Sequence, residues 1–150
     1  MCRDLFGENV DPSALLESLA NDSVLGTIQA GPISNPAISA QTSPNLGAYF
    51  SYKGNGKFVG PISTFTGATI TVNSNPAASF SAGYPGPSSL GFDPSTSHAI
   101  TVIHELGHAA NFTYGSGASV IANDGPTGVG AQLSRINTIL VANNCFGGPR

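Results

Sequence analysis

The stretch from Asp93 to Asn111 leaves the chain little choice of conformation. It opens with Asp93-Pro94, a side chain able to cap a helix followed by proline at the first helical position. Ile100, Ile103 and Ala110, with Ala99 and Leu106 beside them, then predict one buried stripe at helical spacing. On that helix His104 and His108, four residues apart, stand one turn above each other on the same face. Their imidazole nitrogens can meet one tetrahedral Zn²⁺ at about 2.0–2.1 Å. Glu105 lies beside His104 and can reach a water on that metal. Zinc lowers the pKa of such a water to roughly 7, and a nearby carboxylate can take its proton as it attacks a carbonyl. Gly107 costs about 1 kcal/mol in a helix interior, which implies close packing by a neighbouring element. Two of the chain's three histidines fall in this one segment, so a zinc site is the reading preferred over two surface histidines on an ordinary helix.

The 150 residues suffice for one domain, residues 1–150, with a core of its own. Only 9% are charged, and the 19 glycines and 11 prolines suit strands joined by many turns, a composition common in secreted and cell-surface proteins. Five Lys plus Arg and a net charge of −3 provide no electrostatic footprint for nucleic acid. No apolar run approaches the length of a membrane span. The first residues, Met1 to Leu5, lack the apolar core of a signal peptide, so the expectation is an excised domain of a longer protein or export by another route. Cys2 and Cys145 sit near opposite ends. Paired, they would close nearly the whole domain, worth about 5 kcal/mol by loop entropy; otherwise they are two buried thiols.

Along the chain, Asp11 caps a short helix over 11–20 whose apolar face is Leu15, Leu16 and Leu19. A strand is possible at Val24 to Ile28. Residues 48–53 and 57–60 flank Gly54-Asn55-Gly56, a strong hairpin signal. Residues 68–73, Ala-Thr-Ile-Thr-Val-Asn, are the clearest strand, and 75–93 read as an irregular connection to the long helix, placed to border the cleft. Beyond that helix come turns at Tyr114 to Gly117 and Asn123 to Pro126. A second helix follows over 128–143, its apolar positions Leu133, Ile136, Ile139 and Leu140 packed against the first. The class is therefore α+β, a small mixed or antiparallel sheet packed on the histidine helix, with a C-terminal helix.

His104-Glu105-Leu106-Gly107-His108 has the His-Glu-x-x-His form, and the segment resembles the active-site helix of the zincin metallopeptidases. The resemblance implies a zincin-like fold with Glu105 as general base. It also implies an edge strand along the cleft that pairs with extended substrate; residues 68–73 are the candidate, or else an ordinary sheet strand. A catalytic zinc usually has three protein ligands. Metzincins continue the motif with a glycine and a further histidine, where this chain has Asn111 and Tyr114, and Met1 is the only methionine, so there is no Met-turn. Gluzincins use a downstream glutamate, and none follows Glu105. By elimination Asp124, sixteen residues past His108, is an aspzincin-like ligand, although the pattern Gly-Thr-x-Asp-x-x-Tyr-Gly is absent. Asp124 could instead open an Asx-turn, and His98 is the rival ligand if it precedes the helix proper. More widely, Cys2-x-x-Leu5-Phe6, Ile103 to Asn111, Asn123-Asp124-Gly125 and Asn143-Asn144-Cys145-Phe146 resemble bacterial domains at the C-terminal ends of large secreted or RHS-repeat proteins. That likeness implies a metallopeptidase-like, toxin-like module of a larger secreted protein.

The expected function is a zinc-dependent endopeptidase acting on a peptide or protein substrate, with zinc held by His104, His108 and Asp124. Tyr114 and Arg135 are candidates for oxyanion stabilisation, against aromatic packing and a solvated helix charge. The alternatives are a cell-surface or toxin-tip binding module whose zinc is structural or inactive, and metal-dependent hydrolysis of a non-peptide amide. Glu105 discriminates, since a structural site has no use for a base and normally has four protein ligands.

Overall fold

Ala68 and Ile70, both fully buried, alternate with half-exposed Thr69 and Thr71, and this period-two pattern fits a strand with one face on a core. They belong to the middle strand of a three-stranded mixed sheet. The computed structural model describes residues 2–23, 25–52, 58–75, 90–125 and 127–148, with only the backbone described for Arg3, 46–52 and 58–65. The elements run from a 3₁₀ turn (Cys2–Leu5) through α1 (Pro12–Ala20), β1 (Gly26–Gly31), β2 (Ala40–Tyr52) and β3 (Phe58–Asn73) to α2 (Pro94–Tyr114) and α3 (Gly128–Phe146).

The strand order is β1-β3-β2. β1 runs parallel to β3, from Gly26 opposite Ala68 to Gly31 opposite Asn73. β2 runs antiparallel, from Ala40 opposite Val72 to Tyr52 opposite Phe58. The hairpin strands therefore pair as their spacing predicts, while Gly54-Asn55-Gly56 lies outside the described residues, as does most of 75–93. The expectation of an edge strand at 68–73 is corrected: these residues are flanked on both sides, and β1 and β2 are the edge strands among those described. Directly opposed residues share a face of the sheet, so Ala40 and Thr42 of β2 lie on the same face as Val72 and Ile70. That face meets α2; Gln41 and Ser43, on the other, are exposed.

α2 supplies Ile100, Leu106, Ala109 and Ala110 to the core, and α1 adds Leu15 and Leu19. Each fully buried leucine or isoleucine contributes about 1.5–3 kcal/mol of hydrophobic stabilisation. The helix starts follow the sequence signals. The Asp11 carboxylate accepts from the Ser13 and Ala14 amides at 2.9 and 3.2 Å, and Asp93 accepts from the Thr96 amide at 3.0 Å. α2 ends at Gly115, whose φ of 102° suits glycine. α3 packs against α2 as expected, with Leu140 on the core and Leu133 and Ile139 half-buried, but Ile136 is turned out, 52% exposed, and Asn137, Val141 and Ala142 are buried. One position around the helix turns the apolar residue out and a polar one in, because Asn137 has work to do inside.

Cys2 and Cys145 form a disulfide. It ties the N-terminal turn to the last turn of α3, and Leu5 and Phe6 follow it into the core. The Gly7 amide donates to the Ala118 carbonyl at 2.8 Å and the Val120 amide to the Leu5 carbonyl at 2.9 Å, so the start of the chain braces the loop after α2. No helix among the described residues is long and apolar enough to cross a membrane.

Candidate metal centre

His104 and His108 are both buried on α2, their rings 5.1 Å apart between centroids. The chain leaves α2 at Gly115, reverses through Gly117, and returns along the helix it has just left. Asn111 directs that return. Its amide donates to Ser119 Oγ at 3.1 Å and to the Ile121 carbonyl at 2.9 Å, and its carbonyl accepts from the Ser119 amide at 2.8 Å. Ser119 Oγ in turn donates to the Gly107 carbonyl at 2.8 Å. Gly107 is the close-packing position that its helical cost implied: a Cβ there would stand 2.3 Å from Ile121 Cγ1.

The returning loop delivers Asp124 to the two histidines. Residues 121–125 are irregular, and Pro126, the end of the predicted turn, lies outside the described residues. Asp124 Oδ2 lies 2.8 Å from His104 Nε2, Asp124 Oδ1 lies 3.3 Å from His108 Nε2, and the two Nε2 atoms are 3.2 Å apart. Burial pushes the Asp124 carboxyl up, but hydrogen bonds and charge from His104 and His108 prevail and hold it well below the usual carboxylate range.

These donors fit a zinc ion. Tetrahedral ligands at zinc bond length stand about 3.3 Å from one another, against 3.2 Å between the two Nε2 atoms and 2.8 and 3.3 Å from these to the two oxygens of Asp124. Thr138 Oγ1 donates to the Ser134 carbonyl at 2.9 Å, so its lone pair is what faces His104 Nδ1 at 3.3 Å. A proton on Nδ1 would leave the Nε2 lone pair for a cation lying between His104, His108 and Asp124. Two imidazoles and a carboxylate, with one ligand atom from each lying within 4.8 Å of the others, could hold a metal ion.

Glu105, 8% exposed, is held from the sheet. Thr42 Oγ1 of β2 lies 2.7 Å from Glu105 Oε2 and 3.1 Å from the Glu105 carbonyl oxygen. An open cleft of about 940 Å³ exposes His104, Glu105, His108 and Asp124 between residues 35–42 on one side and the first half of α3 on the other. Arg135 lines it. Tyr114, 50% exposed at the end of α2, does not. His98 lies in the second turn of α2 and is not part of the His104, His108 and Asp124 group.

Three residues that sequence reasoning passed over complete the site: Thr42, Asn137 and Thr138. Buried Asn137 accepts from the Ala122 amide at 3.1 Å and donates to the Ala122 carbonyl at 2.8 Å and to Asp124 Oδ2 at 2.9 Å. Its one readable signal was an amide side chain amid the apolar positions of a helix that packs on another. Compared with protein-family models, with curated proteins and with solved structures, the chain matches none.

Proposed function

We propose that the protein is a zinc-dependent endopeptidase of zincin-like arrangement, with His104, His108 and Asp124 as ligands and Glu105 as general base. The observation that carries this reading is the convergence of the three ligand atoms beside a buried glutamate in an open cleft. When bound there, zinc supplies Lewis acidity, lowering the pKa of a water and polarising a carbonyl. Glu105 accepts the proton that the attacking water gives up and returns it to the amine nitrogen as the C–N bond breaks. Thr42 occupies Oε2, which leaves Oε1 for that proton. Asp124 orients toward both histidines and balances positive charge. Arg135 is the cationic side chain that lines the cleft, and it is the candidate for the developing oxyanion.

Within this reading β2, not residues 68–73, is the strand beside the cleft, since residues 39–42 line it and β2 is an edge strand among those described. An extended peptide would pair with it. The Cys2–Cys145 disulfide supports maturation in an oxidising compartment. Against a binding module with structural zinc stands the ligand count: the group holds three protein ligands where structural sites normally have four.

The test is metal analysis of the purified protein together with casein and peptide-library cleavage, with and without chelator. One zinc per chain and chelator-sensitive cleavage are expected. A zinc-loaded protein that cleaves neither substrate, or a His104→Ala variant that still cleaves, would overturn the proposal.

A further inference from the structure

We infer that Thr42 is the positioning residue for Glu105, a step that rests on the peptidase reading of the site. Glu105 is nearly buried, and among the described residues no cation pairs with its carboxylate. The side chain that meets that carboxylate is Thr42, whose hydroxyl is 2.7 Å from Oε2. The same hydroxyl is 3.1 Å from the Glu105 carbonyl oxygen, so Thr42 spans the backbone and the head group of one residue. The hydroxyl has one hydrogen for these two acceptors, and the shorter contact, to Oε2, is the one that holds the head group.

The hydroxyl is itself rigidly mounted. Thr42 is paired with Ile70 in the register of β2 with β3, and Ile70 is fully buried. A β-branched side chain in a strand has restricted χ1 freedom, so Oγ1 has little room to wander. Helix α2 sets the Cα of Glu105, and the sheet sets its carboxylate. A base misplaced by about 1 Å loses on the order of 10²-fold in rate, which is the scale on which such mounting matters. The zinc ligands do not depend on it, because Thr42 bonds to Glu105 and to none of them.

Two substitutions separate positioning from mere packing. Thr42→Val keeps the shape and removes the hydroxyl; Thr42→Ser keeps the hydroxyl. In zinc-loaded protein, Thr42→Val is expected to lower kcat by about 10–100-fold, part of the 10²–10⁴ that a positioned base supplies. KM and zinc content should stay at wild-type values, and Thr42→Ser should recover most of the rate. A second readout needs no activity. The chain has three glutamates, Glu8, Glu17 and Glu105, so ¹³C labelling of glutamate side-chain carboxyls yields three resonances, with Glu105 assigned by its loss in Glu105→Gln. That resonance should move in Thr42→Val and return in Thr42→Ser. Should wild-type protein with full zinc cleave nothing, the peptidase reading fails and the resonance alone decides the Thr42 contact. An unmoved Glu105 resonance, or a Thr42→Val enzyme with wild-type kcat, overturns the inference.

Discussion

Asn137 Nδ2 donates at 2.9 Å to the Asp124 oxygen that also lies 2.8 Å from His104 Nε2. One oxygen thus accepts a hydrogen bond from α3 while it faces His104 of α2. The remaining bonds of Asn137, to the amide and carbonyl of Ala122, hold the backbone two residues upstream of the carboxylate.

Asn137→Ala should therefore cost twice. Leaving the partners of a 1% exposed side chain unsatisfied destabilises by about 1–3 kcal/mol, read in urea melts of the metal-free protein. Zinc affinity should drop about 10–100-fold, the usual effect of losing a residue that orients a ligand. Competition with a chromogenic chelator measures it, and wild-type affinity would sink the claim.

The ligands themselves separate by kind. His104→Ala and His108→Ala should abolish zinc binding, Asp124→Ala should weaken it sharply while the fold survives, and Asp124→Glu should be only partly tolerated. Glu105→Gln should keep the zinc and lose hydrolysis by about 10²–10⁴. Zinc content by mass spectrometry under native conditions checks the metal in all five, and peptide cleavage checks the loss in Glu105→Gln; full occupancy in both histidine variants would place the metal elsewhere.

Gly107→Ala tests whether the returning loop is fitted to the helix. Alanine favours a helix by about 1 kcal/mol, yet its Cβ would meet Ile121 at 2.3 Å. Overpacking of this sort costs about 1–3 kcal/mol, so the net change should be a loss of stability with weaker zinc binding, as Ile121 carries residues 122–124 away. Adding Ile121→Ala should restore part of the zinc affinity. Unchanged stability in the single variant would mean that the loop gives way freely.

Asp93 links α2 to pH. Its carboxylate is held well below the usual range, first by the hydroxyl of Ser95 and then by the hydroxyl and amide of Thr96. A depressed folded-state pKa means stability that is complete above the unfolded value, about 3.9, and that is lost as pH falls from there through the folded value. Asp93→Asn, which keeps a capping oxygen but not the charge, should melt below wild type near pH 7 and show a shallower loss of melting temperature between roughly pH 4 and pH 2, so that the two proteins converge in acid. Parallel acid limbs for the two proteins would rule the cap out as the acid-sensitive element.

What could be read from the chain beforehand was what depends on near neighbours. The Asp93-Pro94 cap, the i,i+4 histidines and the glycine inside the helix each need only a few residues of context. Asp124 was reachable because it is the sole acidic residue after Glu105. Thr42 was not, since 63 residues separate it from Glu105 and nothing local marks the pairing. The placing of 68–73 at an edge failed for a related reason: a β-branched run shows that a segment pairs, not on how many sides. Ile136 was assigned inward because α3 has apolar residues on several faces, and the buried amide of Asn137 decides which of them turns in.

The Cys2–Cys145 bond has a mechanical meaning. The two Cα atoms stand 4.6 Å apart with 143 residues of sequence separation between them. A pulling force applied outside the pair runs through the sulfurs and bypasses the sheet, the helices and the cleft. Under tension the oxidised domain is an almost inextensible link whose interior stays unloaded. Once the bond is reduced, the same load falls on the fold, and the enclosed chain can pay out to roughly 500 Å at full extension.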